Sequence, residues 1–175
     1  MKYTIAIFMA AVLALVIGGC LVTGQNTLTQ GVDATAVTKT AVTRIPINLD
    51  DEPDYRDNKD KIKSIDELSV VAIITNNRAA PARARLYLSN DETLTTVDEV
   101  ETEATLVFES PEVPASAKLK IHWADGFKYV QNRKAIEKEI LGDGIFQLYA
   151  IADGDDADLN VDVKAEFVIV ITVSK

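Results

Sequence analysis

Apolar residues recur at every second position through much of this chain. Ala82, Ala84, Leu86 and Leu88 share one parity, with Arg83, Arg85 and Tyr87 between them. A period of two is the signature of a strand with one face buried and the other in water. The same rhythm runs over 100–108, where Val100, Thr102, Ala104, Leu106 and Phe108 alternate with polar neighbours, and over 115–123, which ends on Trp123. Leu159, Val161, Val163, Ala165, Phe167, Ile169, Ile171 and Val173 keep one parity over 159–173. That is long for a single strand and predicts a bend or bulge near Lys164. Segments 68–75 and 145–152 are apolar on both parities and read as buried strands, the first of them central. Segment 37–49 reads as the first strand. Pro46 within it has no N–H to give a neighbour, so it predicts a sheet edge or a bulge.

Between these runs the pattern changes. Residues 50–64 begin with acids (Asp50, Asp51, Glu52, Asp54) and end with Lys59, Lys61 and Lys63. This order suits a short helix opening at Pro53, because acids complement the positive end of a helix dipole and cations the negative end. Tyr55 and Ile62 are its anchors to the sheet. A second helix is predicted over 127–141, capped by Asp125 and stopped at Gly142, with Tyr129, Ile136 and Ile140 on one face. Asn76-Asn77, residues 89–96, Pro111 and Pro114 mark turns and loops. The sum is a mostly β fold: an antiparallel β-sandwich of about seven strands, with two short helices in its connections. It resembles immunoglobulin-like sandwiches in architecture only. The disulfide that bridges such sheets has no counterpart here, and Trp123 is expected to supply bulk in the core.

The first twenty residues follow a different rule. Lys2 is followed by an uncharged apolar run, residues 5–17. As a helix it spans roughly 20 Å, short of the hydrocarbon core of a bilayer. The run closes on Ile17-Gly18-Gly19-Cys20, and Cys20 is the one cysteine of the chain. This stretch resembles the bacterial lipoprotein signal, in which an aliphatic residue and two small ones precede a cysteine that is lipidated. The resemblance implies cleavage between Gly19 and Cys20, a thioether-linked diacylglycerol on Cys20, and usually a further acyl chain, such as palmitate, on its new amine. Several acyl chains make a lasting anchor where one does not. Leu21 stands where enteric bacteria use Asp to retain lipoproteins at the inner membrane. Localisation in the cell envelope follows: the outer membrane where the organism has one, otherwise the outer face of the cytoplasmic membrane. The expected organisation is a signal peptide over 1–19, lipidated Cys20 with a flexible tether to 36, and one sandwich domain over 37–175.

Charge narrows the partners. Acidic residues outnumber basic ones 27 to 18, a net charge of −9 that moves to −10 when Lys2 leaves with the signal. An acidic surface is unsuited to nucleic acid and to a basic dock on anionic lipid. The chemistry of catalysis is thin. His122 is the sole histidine and falls on a polar parity, as an exposed strand residue does. One histidine and no spare thiol make a poor zinc site. Calcium is the better idea, since hard cations gather several oxygens. Asp153, Asp155, Asp156 and Asp158 crowd one loop, although Val161 and Phe167 occupy the places where an EF-hand needs glycine and glutamate. Arg78, Arg83 and Arg85 form a basic stretch that can pair with Glu99, Glu101 and Glu103 on a neighbouring strand. The expectation is a non-catalytic, membrane-anchored module that binds an envelope protein or an extracellular polymer. A small-ligand or calcium-binding lipoprotein is the alternative.

Overall fold

A computed structural model describes residues 23–38, 40–153 and 161–174. Among the described residues, eight strands form two antiparallel sheets of four. They are β1 (Thr23–Val37), β2 (Thr43–Asn48), β3 (Ile62–Asn76), β4 (Arg83–Ser89), β5 (Thr105–Glu109), β6 (Lys118–Ile121), β7 (Ile145–Asp153) and β8 (Val161–Ser174). The helices are short: α1 (Pro53–Arg56), α2 (Val97–Glu103), α3 (Trp123–Gly126) and α4 (Arg133–Leu141). The strand order is β1-β8-β3-β6 in one sheet and β2-β7-β4-β5 in the other. The predicted sandwich is therefore present. Its interleaved order is that of a jelly roll, two Greek keys wound together, so the likeness to immunoglobulin domains stops at architecture.

The inward parity builds one core. Leu28 and Val32 of β1, Val70 and Ile74 of β3, Leu86 of β4, Leu148 of β7, and Val163, Phe167 and Ile171 of β8 are all buried in it. Segment 68–75 is central as expected, because β3 lies between β8 and β6. Pro46 sits on β2, an edge strand, which tolerates its missing N–H. Pro53 opens α1, and Tyr55 of that helix is fully buried, its hydroxyl donating to the Ile140 carbonyl at 2.9 Å.

Several elements differ from the sequence reading. The stretch taken as a tether is strand β1 from Thr23 onward, paired along its length with β8. Leu28, Val32 and Ala34 point inward, and β8 supplies an edge that satisfies the backbone. The strand expected over 37–49 is divided between the end of β1 and β2. The strand expected over 100–108 is helix α2 followed by β5, because Thr96 and Glu99 close a capping box at the helix start. The strand expected to end on Trp123 stops at Ile121, and Trp123 is 37% exposed rather than in the core. The long helix is broken by Val130, which bridges to Phe108, and by left-handed Asn132, so only α4 remains. β8 runs without a break from Val161, and the irregularities predicted near Lys164 lie in its neighbours, between Ala34 and Val37 of β1 and near Ser64 and Glu67 of β3.

The antiparallel order gives the sandwich two unlike ends. Val37, Thr43, Asn76, Arg83 and Asp153 share one end, where Ala152 N–H donates to the Thr38 carbonyl. Thr23, Asn48, Ile62, Ile145 and Ser174 share the other. Buried Asn76 ties the first end together, its amide donating to the carbonyls of Ala80 at 2.8 Å, Val113 at 3.0 Å and Pro114 at 3.2 Å. Asn76→Ala strands those carbonyls and is expected to lower unfolding stability by about 2 kcal/mol. Limited proteolysis should then cut first within 77–82 or 110–117. An unchanged denaturant midpoint would show that the amide clamp is dispensable.

Candidate functional site

The sheet β2-β7-β4-β5 carries a second apolar cluster on its outer face. Tyr87 of β4 and Tyr149 and Ile151 of β7 are roofed by Leu94 and by Val100 of α2. The roof is held at several points. Tyr149 donates its hydroxyl to the Asp91 carbonyl at 2.5 Å, Arg44 donates to the Glu92 carbonyl at 2.7 Å, and Asn90 donates to Glu139 at 3.2 Å. Burial raises the pKa of both Tyr87 and Tyr149, so each stays a neutral phenol.

Beside this roof lies a cleft of about 510 Å³, with Arg85, Asp98, Glu101 and Asp153 on its walls. Arg85 is its centre. Its Nε meets Glu109 Oε1 at 3.0 Å, one terminal nitrogen meets Glu101 Oε1 at 3.4 Å, and the other meets Asp153 Oδ2 at 2.7 Å. Three elements, β5, α2 and β7, are thus joined through one guanidinium, whose planar fork suits several carboxylates at once. Burial works against its charge, but the hydrogen bond that Arg85 donates to Glu109 and the field of Asp153 outweigh it and raise the Arg85 pKa.

The sequence candidates fare unevenly. Arg85 and Glu101 do meet, although Glu101 stands on a helix, and Arg83 reaches Glu112 at 4.0 Å. Asp153 is the counter-ion of Arg85. Asp155, Asp156 and Asp158 lie outside the described residues, as do Gly19 and Cys20. Among the described residues no three His, Cys, Asp or Glu side chains are grouped to hold a metal. Asp50 pairs with Lys59 at 2.8 Å, as a capped acid-to-base helix start implies. His122 is exposed and precedes α3. Of the Arg85 network only the pairing with Glu101 was expected; Glu109 and Asp153 were missed, because only the register of β4 with β5 and β7 brings them to Arg85.

A largely apolar space of about 10 Å³, the size of one water, lies between the sheets and is lined by Gln30, Leu88, Val107, Ile136 and Phe167.

No protein-family model matches the chain, and a comparison with curated proteins finds no match. Among solved structures it is similar to a Desmodium yellow mottle tymovirus chain at 6% identity and a TM-score of 0.30, covering 87% of this chain and 90% of that one. It is similar to a turnip yellow mosaic virus chain at 8% identity and a TM-score of 0.32, covering 90% and 85%. At such scores neither likeness carries an argument about function.

The wall made by α2 depends on Glu99. Its carboxylate accepts from the Thr95 and Thr96 backbone N–H groups, both at 2.9 Å, and these bonds lower its pKa. A carboxyl whose pKa is lower folded than unfolded adds stability above its unfolded value, and this is lost as pH falls through the folded value. Glu99→Ala should therefore melt below the parent at neutral pH, with the gap closing on acidification below about pH 4. Thermal melts across that range check it, and a gap that persists undiminished in acid would refute the capping role.

Proposed function

We propose that the chain is a non-catalytic envelope lipoprotein, anchored through Cys20, whose sandwich binds another envelope protein or an extracellular polymer. The observation that carries this reading is Ile17-Gly18-Gly19-Cys20 at the end of an apolar run, with β1 beginning three residues later at Thr23. So short a link reaches at most about 10 Å. The end of the sandwich with Thr23, Asn48 and Ser174 would face the bilayer closely. β1 spans about 50 Å at a strand's rise per residue. The Arg85 cleft, at the other end, would then be presented away from the lipid. Confinement at a surface raises the effective concentration of a partner, so weak surface contacts suffice.

Cells grown with labelled palmitate should incorporate it into the parent chain and not into Cys20→Ala, which should also keep its full length. In-cell crosslinking should capture an envelope partner with the lipidated form, and lose it when residues 1–19 are exchanged for a soluble secretion signal. Normal processing of Cys20→Ala would remove the anchor from the proposal.

Calcium binding is the second reading, favoured by the crowding of Asp153, Asp155, Asp156 and Asp158 in one short stretch of the sequence. An ion there has to draw Asp153 away from Arg85, so Asp155, Asp156 and Asp158 would carry most of the coordination. A rise in melting temperature with millimolar calcium that vanishes in Asp156→Ala is the expected sign. No rise would end the reading.

A further inference from the structure

An exposed aromatic turn is fixed to the sheet β1-β8-β3-β6 with unusual closeness. Trp123 opens α3, and Phe127 begins the 3-10 turn that continues it, 37% and 58% exposed respectively. Residues four apart on a helical turn share a face. Gly126 between them is pressed so tightly on β3 that a Cβ there would stand 1.9 Å from the Val70 carbonyl oxygen. Ser69, itself buried, donates its hydroxyl to the Trp123 carbonyl at 2.9 Å. Lys128 pairs with Asp125 at 2.6 Å and stands 5.8 Å from the Phe127 ring centre. Arg133 closes the far side, donating to the carbonyls of Ile65 at 2.8 Å and Asp66 at 3.2 Å, and pairs with Glu137. The rings are thus held in water on a rigid mount.

The cleft beside the rings has a volume of about 380 Å³, and Glu67 and Arg133 stand on its walls with Trp123 and Phe127. Its chemistry selects an occupant. Flat aromatic faces take an apolar surface, while a carboxylate accepts and a guanidinium donates hydrogen bonds at its edge. A pyranose ring has both parts, a face of C–H bonds and a rim of hydroxyls. The net charge of −9 and the carboxylate of Glu67 disfavour a polyanion. At about 380 Å³ the cleft falls in the size range of small-molecule sites. We propose that the Trp123–Phe127 turn, with Glu67 and Arg133, is a binding site for neutral hexopyranose oligosaccharides. The site names the polymer class in the function proposed above and rests on that reading only for the polymer, not for the anchor.

Trp123 is the only tryptophan of the chain, so its emission reports this site alone. The full chain, kept in detergent micelles, is titrated with hexasaccharides of glucose, mannose and N-acetylglucosamine, and passed over beads bearing each. A saturable change in Trp123 emission with at least one sugar is expected, with retention on the matching beads. Trp123→Ala and Phe127→Ala should weaken retention by about tenfold, with Trp123→Tyr intermediate and melting temperatures unchanged. Failure to bind any of the three sugars, or equal retention by Trp123→Ala and Phe127→Ala, overturns the site. A chain found without lipid that binds sugar keeps this proposal and loses the anchor. A lipidated chain that binds none does the reverse.

Discussion

Everything in this fold depends on β8 being paired on both sides. It is the last strand, and its neighbours are β1, the first described strand, and β3. From Val161 to Val173 every second residue is buried, while backbone hydrogen bonding runs to β1 on one side and β3 on the other. Without β8, β1 has no ladder and β3 keeps only the short β6. The first and last described strands must therefore meet before the sheet exists. Such long-range pairing makes for slow, cooperative folding, since loop closure comes before the contacts that reward it. No disulfide assists, as the single cysteine has no partner within the chain.

That constraint explains where irregularity is allowed. β8 touches two strands at once, so a bulge in it would disturb both ladders. The shifts in register fall instead in β1 and β3, each of which has its other side free or only partly paired over those residues. The opposite sheet solves a different problem. Its outer face carries Tyr87, Tyr149 and Ile151, too apolar for water, and the β4–β5 connection folds back as α2 to cover them. Arg85 pins the edge of that cover through Glu101, so the ion network and the roof form one structural unit. Partly exposed ion pairs usually contribute little singly, but one guanidinium serving three carboxylates acts as a network rather than an isolated pair.

Legibility in the sequence followed the strength of local signals. The strands over 82–88 and 145–152 and the central 68–75 were readable because burial on one or both faces leaves its period in the residues. β1 was not, since Gln30 interrupts the parity set by Leu28, Val32 and Ala34, and its strand character comes from the open edge of β8. Over 97–103 two signals competed. Alternation of apolar residues with glutamate spoke for a strand, Thr96-x-x-Glu99 for a helix, and the reciprocal cap decided it. Trp123 followed strand parity but lies past the strand's end, so the one tryptophan went to the surface. Arg85, Glu101 and Asp153 were individually visible, but the meeting of Arg85 with Glu109 and Asp153 is a property of register.

The two ends and the exposed aromatic turn would make different demands if the protein is tethered as proposed. β1 starts three residues after Cys20 in the sequence, so the anchor proposed there would leave the domain little freedom to stand off a bilayer. Its approach to a partner would be set by the sandwich's own length. The far end then carries Arg85 and its carboxylates, a charged rim suited to orienting an encounter. The Trp123 turn lies on the flank, beside Ser69 in the middle of β3. A linear polymer running along the membrane would meet the flank before the tip. A rigid aromatic mount placed there suits a lateral ligand better than one approaching end-on, and the fixed position of Gly126 against Val70 keeps it so placed.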